Sequence, residues 1–317
     1  MNLYPWLVST FAEVSERIAT QQLHHGLLFV ADKGVGESSL LSLIANTLLC
    51  GSPVYVASTE THTSGDSFET KQACDSCKSC LLFNAQSHPD LKRVVSDKPS
   101  IGVDLIRNAS EFVTTTSQLR GNKVVIIEDI HLMTEAASNS LLKTLEEPSN
   151  NTYILLSTHK PDSLLPTITS RCEKLRVKLP SREASLAWLS KQSSEPVSMQ
   201  GLQAYSDSPI AYLAALNEQG LNFAEFEQDI AALNSGKQSV LAAAAKWQSK
   251  PAQVLGWTYR WSVNQYQQAL LTDQAKAKLD SLQMTIEACH QANRKINQAG
   301  VNKTLLLQQV FNKVIAN

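Results

Sequence analysis

Apolar residues in the first 180 positions follow two patterns. Short unbroken runs occur at Gly26–Ala31 (Gly-Leu-Leu-Phe-Val-Ala), Lys123–Ile127 (Lys-Val-Val-Ile-Ile), Tyr153–Leu156 and Leu175–Leu179. Each predicts a short strand buried on both faces. Between them, apolar residues recur at helical spacing. Ser38–Leu49 carries Leu40, Leu41, Ile44, Leu48 and Leu49 on a broad face, and Val103–Leu119 carries Leu105, Ile106, Ala109, Phe112 and Val113. Thr134–Glu147 is a third helix, which Thr134 can cap and Pro148 follows; Pro166 opens a short one reaching Ser170. Strands separated by helices predict an α/β domain with a parallel sheet covered on both faces. After Pro180 the strand signal stops. Arg182–Gln192 reads as a helix, a second helical stretch runs past Pro196 and Ser198 to about Leu216, and the remainder is helical. There Leu279, Leu282, Ile286, Cys289 and Ile296 form one row, and Leu306, Val310, Phe311 and Val314 another. No repeat of fixed period is present.

Composition narrows the function classes. A chain of 317 residues holds about two or three domains. Lys plus Arg number 28 against 29 Asp plus Glu, a net charge of -1, which excludes a strongly basic protein holding nucleic acid by bulk electrostatics. The 43% apolar content excludes a wholly disordered chain. Met1–Thr20 lacks a basic start followed by an apolar block, so no signal peptide is expected. The longest uncharged stretch, Ser38–Thr59, is interrupted by Ser42, Asn46, Gly51 and Pro53 and reads as a buried helix followed by a turn. A cytoplasmic chain is expected. Ser58–Lys71, rich in Thr, Ser, Glu and Asp, reads as a mobile loop.

Two segments sit where a nucleotide-hydrolysing enzyme keeps its phosphate chemistry. Between the first strand and the Ser38 helix runs Ala31-Asp-Lys-Gly34-Val-Gly36-Glu37-Ser38. A phosphate loop needs glycines for close backbone approach, a lysine for the β- and γ-phosphates, and Ser or Thr for Mg²⁺. Gly34, Gly36 and Ser38 are present, but Ala31 replaces the first glycine and Glu37 the lysine. A carboxylate ~4 Å from a phosphate charge costs on the order of 4 kcal/mol at an effective dielectric of about 20. Lys33 lies on the wrong side of the glycines to substitute. The expectation is a loop that keeps its shape and binds ATP poorly. Downstream, Val124–Ile127 ends in Glu128-Asp129, the reverse of the usual Asp-Glu order. Acidic residues ending a buried strand explain that pair equally well.

Four of the six cysteines cluster. Cys74, Cys77 and Cys80 are three residues apart, and Cys50 ends the preceding helix. Converging thiolates of this kind suit tetrahedral Zn²⁺ with no open position, a structural rather than catalytic site. The long gap after Cys50 leaves His62 as a competitor for the fourth ligand. Cys172 and Cys289 read as ordinary buried thiols. Trp247, Trp257 and Trp261 could stack on bases, but no basic run accompanies them, and core packing explains them better.

Asn139-Ser-Leu-Leu-Lys-Thr-Leu-Glu-Glu-Pro148 and Thr169-Ser-Arg-Cys172, with the cysteine insert, resemble the clamp-loader branch of the AAA+ ATPases. The resemblance extends to Gln298-Ala-Gly-Val-Asn302-Lys and covers nearly the whole chain. It implies a RecA-like α/β domain over residues 1–179 with a zinc insert at 50–80, a helical lid at 180–216 and a helical collar at 217–317 that joins subunits. The altered loop points to a non-hydrolysing member of that branch, with no ATPase activity of its own. Such a member works inside a bacterial DNA polymerase holoenzyme that loads the sliding clamp on primed DNA during replication. The implied partners are gamma/tau-type ATPase subunits, which bind the ATP, and a delta subunit. The sliding clamp and primer-template DNA are met through the complex. Active relatives place an arginine in the lid, where this chain has Ile210. The family's Ser-Arg-Cys arginine is Arg171, beside Ser170, and it reaches in trans for the γ-phosphate held by a neighbour. The competing readings are an active ATPase with a divergent loop, a zinc-dependent nucleic-acid module, and an Arg171 that pairs with a local carboxylate such as Glu173.

Overall fold

A computed structural model describes the chain except for residues 1–2, 58–68, 218–221, 273–275, 297, 299 and 316–317. Two compact units divide it, Met1–Pro180 and Ser181–Asn317.

In the first unit the four predicted strands form, with small shifts at their ends: β1 (Gly26–Ala31), β5 (Lys123–Ile127), β6 (Thr152–Thr158) and β7 (Glu173–Val177). A fifth strand, β4 (Leu91–Val94), joins them in one parallel sheet of order β4-β5-β6-β1-β7. Successive side chains point to opposite faces, so each strand feeds two cores. Leu27 and Phe29 join Leu40, Leu41 and Ile44 of α2 (Glu37–Leu49) and Phe11 and Val14 of α1 (Val8–Ala19) on one face. Leu28, Val125, Ile127 and Leu156 meet Ile106 of α4 (Val103–Thr114) and Leu141 of α5 (Glu135–Glu146) on the other. Thr134 caps α5 by accepting from the Ala137 N–H. Helix α4 is shorter than its apolar spacing predicts. The chain beyond Thr114 wraps Asp90 instead, whose carboxylate accepts from Ser117 Oγ and from the N–H groups of Gln118 and Leu119.

The insert between α2 and β4 differs from expectation. Val54–Ala57 (β2) pairs antiparallel with Glu69–Gln72 (β3), followed by α3 (Lys78–Asn84). Residues 69–71, read from sequence as loop, are therefore strand, anchored by the Ser15 hydroxyl donating to Lys71 O at 2.6 Å. The rest of that expected loop, with His62, lies outside the described residues. The short helix α6 (Pro166–Thr169) leads into β7.

The second unit is helical in its described residues. Helices α7 (Arg182–Gln192), α8 (Met199–Ala204) and α9 (Pro209–Asn217) enclose a small core of Leu189, Leu202 and Tyr212. The helices that follow are α10 (Phe223–Asn234), α11 (Val240–Trp247), α12 (Pro251–Leu271), α13 (Lys276–Lys295) and α14 (Lys303–Ile315). They pack round Phe226, Trp247, Trp257 and Phe311. The buried Trp247 donates its indole N–H to Asp229 at 2.8 Å. Among the described residues, no helix is long and apolar enough to cross a membrane.

Candidate functional site

The turn from β1 to α2 bends at two glycines. Gly34 and Gly36 hold φ of 79° and 91°, conformations that only glycine adopts without strain. Glu37 opens α2 where a lysine would stand, half-buried and facing two more carboxylates. Burial pushes its carboxyl above the ordinary range, and the charges of Asp129 and Glu128 push it in the same direction. The Ser38 hydroxyl donates to Glu128, the acid at the end of β5. Arg93, from the edge strand β4, lies 3.8 Å from Glu128 and donates to Ser42 Oγ at 2.8 Å. The fold therefore brings the Mg²⁺-type serine and strand-end acid together, in a place crowded with negative charge. Lys33 lies near enough to His131 to depress its pKa, where burial acts first and most strongly. Ile210 is the second residue of α9, in the other unit.

Arg171 follows α6 and is partly exposed, at 36%. Its guanidinium pairs with Glu146 at 2.6 Å and donates to Thr167 O at 3.0 Å and Ser170 Oγ at 3.3 Å. The local carboxylate is thus Glu146, not Glu173, which pairs with Arg17 of α1. Two features position this corner. His25 Nε2–H donates to Leu145 O at 2.8 Å at the last turn of α5. Gly26 lies beneath, where an added Cβ would stand 3.2 Å from Leu145 Cδ2 and 3.4 Å from Arg171 O.

The four clustered cysteines converge. Cys50 ends α2, Cys74 follows β3, Cys77 caps α3 and Cys80 lies in its first turn. Their sulfurs all lie within 4.8 Å of one another, with Cys50 Sγ 3.6 Å from Cys74 Sγ and 3.9 Å from Cys77 Sγ. Tetrahedral Zn–S bonds of ~2.3 Å place sulfurs about 3.8 Å apart, which these two separations match. The N–H groups of Cys74, Cys77 and Cys80 point at Cys50, Cys74 and Cys77 sulfurs respectively, at 3.3–3.5 Å. Backbone donors, first that of Ser76, bring the Cys74 thiol down to about 6, whereas burial pushes the Cys50 and Cys80 thiols up. Cys289 is a buried thiol, as expected, whereas Cys172 is only partly buried; burial pushes them up to about 12 and about 11.

Comparison with known proteins identifies the family. The family profile described as "DNA polymerase III, delta subunit" matches residues 8–181. The DNA polymerase III subunit delta' of Pseudomonas aeruginosa is 31% identical over 98% of this chain and 96% of its own. The chain belongs to the DNA polymerase III delta' family. The Haemophilus influenzae delta' subunit is 39% identical over a shorter alignment, 61% of this chain and 54% of that one. Among solved structures, a Thermotoga maritima protein related to the DNA polymerase III gamma subunit superposes with a TM-score of 0.51 at 16% identity. It covers 96% of this chain and 98% of its own. That likeness carries the fold alone, a parallel α/β domain followed by helices.

Several residues around these candidate sites are invisible to spacing arguments. Arg93 stands in a strand too polar to be recognised, and Glu146 is 25 positions from the arginine it pairs with. His131 and His159 flank Asp129 through the parallel pairing of β5 with β6, which no local pattern announces.

Proposed function

We propose that this chain is the non-hydrolysing delta' subunit of a bacterial clamp loader, supplying Arg171 in trans to the ATP site of a neighbouring gamma/tau-type subunit. Family membership supports the assembly. The observation that carries the non-hydrolysing assignment is Glu37, set against Glu128 and Asp129 where a working site needs a lysine. The partners are ATPase subunits and a delta subunit, with the sliding clamp and primer-template DNA engaged through the complex. The division of labour assigns residues 1–179 to the α/β domain, 180–216 to a lid and 217–317 to a collar that joins subunits. The small core of Leu189, Leu202 and Tyr212 supports a distinct lid, which Ala204 and Tyr205 join to the larger helical core.

The chemistry of the finger follows from its donor. A guanidinium is planar and always charged, and it matches the charge spread over a transferring phosphoryl group. Arg171 stands partly exposed on a short helix-to-strand turn, held by Glu146, Thr167 and Ser170. Local bonds fix its direction, and the exchange of Glu146 for a neighbour's phosphate completes a second active site. Fingers given in trans contribute about 10³–10⁵ in rate. Cys50, Cys74, Cys77 and Cys80 hold a structural Zn²⁺ that closes the insert.

In a reconstituted complex, Arg171→Ala leaves assembly intact and sharply lowers the partner's ATPase. Unchanged activity there removes the finger role. The rival reading, an active ATPase, draws on the surviving Ser38–Glu128 contact. It requires Mg-ATP binding by the isolated chain.

A further inference from the structure

Three donors unused by the finger and the cysteine cluster gather at the carboxyl ends of two neighbouring strands. Asp129 follows β5, His131 lies in the turn Ile130–Leu132, and His159 follows β6. His159 Nδ1 stands 3.1 Å from Asp129 Oδ1, and His131 Nδ1 stands 3.9 Å from the same oxygen. One ligand atom from each residue falls within a set spanning no more than 4.8 Å. Donors bound at 2.0–2.1 Å stand about 3.4 Å apart in tetrahedral geometry, so the two measured separations bracket the required one. The imidazoles meet edge to face, their centroids 4.1 Å apart. Burial is graded. The His131 side chain is 4% exposed, that of His159 24% and that of Asp129 46%, which leaves one side open for entry and for further ligands.

We propose that Asp129, His131 and His159 form a second metal site, separate from the four cysteines, that takes Zn²⁺ with solvent completing its coordination. Two imidazoles and one carboxylate suit a borderline first-row ion better than Mg²⁺ or Ca²⁺, which prefer all-oxygen sets. His159 now donates Nδ1–H to Asp129. Binding moves that proton to Nε2 and turns the Nδ1 lone pair to the ion, and His131 Nδ1 gives up its 3.3 Å contact with Thr158 Oγ1. Lys33 and Lys160 lie in electrostatic range of His131 and oppose a cation, whereas Glu37 lies in range of Asp129 and adds negative charge. The site depends neither on the finger nor on nucleotide.

The test is zinc stoichiometry of the full chain after equilibrium dialysis against micromolar free Zn²⁺, for wild type, His159→Ala and Asp129→Asn. Wild type is expected to hold one zinc more than either variant, with all three showing the same circular dichroism. Co²⁺ at the extra position is expected to lack the intense near-ultraviolet thiolate band of the cysteine site. Equal zinc content in wild type and both variants overturns the proposal, as does a thiolate signature on the extra equivalent. If one variant unfolds, the other decides.

Discussion

Glu37 and Glu146 each place a carboxylate where it changes the behaviour of a neighbour. The Glu37 carboxyl is pushed up by burial and by two nearby acids. A carboxyl raised in the folded state binds its proton more tightly there than in the unfolded chain. Stability therefore falls as pH rises from the unfolded value near 4.5 through the folded one, and the penalty is complete above both. Glu37→Gln is expected to stabilise the chain at pH 7, by less than about 1 kcal/mol because the group is half-exposed, and to have no effect at pH 4. Urea denaturation at the two pH values checks this, and an equal effect at both rules out the charge explanation. Glu146 holds a partly exposed ion pair worth at most about 1 kcal/mol. Glu146→Gln should leave the melting temperature nearly unchanged, and Thr167 and Ser170 still direct Arg171. ATPase in the assembled complex is expected at or above the wild-type level, because a competitor for the guanidinium has gone. A tenfold fall would identify Glu146 as an aligner instead.

At the scale of elements, the cysteine cluster ties the end of α2 to the β2–β3 ribbon and α3. The ribbon has little core of its own, and Val54, Tyr55 and Val56 are all exposed. Cys77→Ser is expected to abolish binding of the proposed zinc and to raise amide exchange over residues 69–84, with the protection of β1, β5 and β6 unchanged. Uniform loss of protection would mean that the metal supports the whole sheet. The same contrast explains what the sequence revealed. Strands such as Val124–Ile127 are buried on both faces and read as continuous apolar runs. Leu-Lys-Arg-Val of β4 sits at the sheet edge, with half its residues charged, and Glu-Thr-Lys-Gln of β3 has no large apolar residue. Both strands escape a reading that relies on hydrophobic periodicity. The cysteines and the glycine turn were legible because their donors are close in sequence or their chemistry is rare. The Asp129, His131 and His159 group was not, because strand pairing assembles it across 30 positions.

For the whole molecule, the question is whether the altered residues weaken nucleotide binding singly or together. Glu37 replaces the lysine, Glu128 and Asp129 stand in reversed order, and Ile210 replaces the lid arginine that the family resemblance leads one to expect. Ser38 is already engaged by Glu128, and Arg93 partly neutralises that acid, so the site has its own internal partners without a Mg-phosphate group. Restoring one contact supplies attraction but leaves the others unmade. Calorimetry with Mg-ATP is expected to give no heat for wild type and only weak binding for Glu37→Lys, because the lysine then faces Glu128 and Asp129 as much as phosphate. Tight binding by the Glu37→Lys chain would place the whole defect in that one side chain. Tight binding by wild type would place an active nucleotide site in this chain and make Arg171 an addition to its own ATP chemistry. With neither chain binding tightly, the nucleotide dependence proposed for the assembly has to come from the neighbouring subunits, which leaves the proposed finger Arg171 as the residue to test for this chain's action on it.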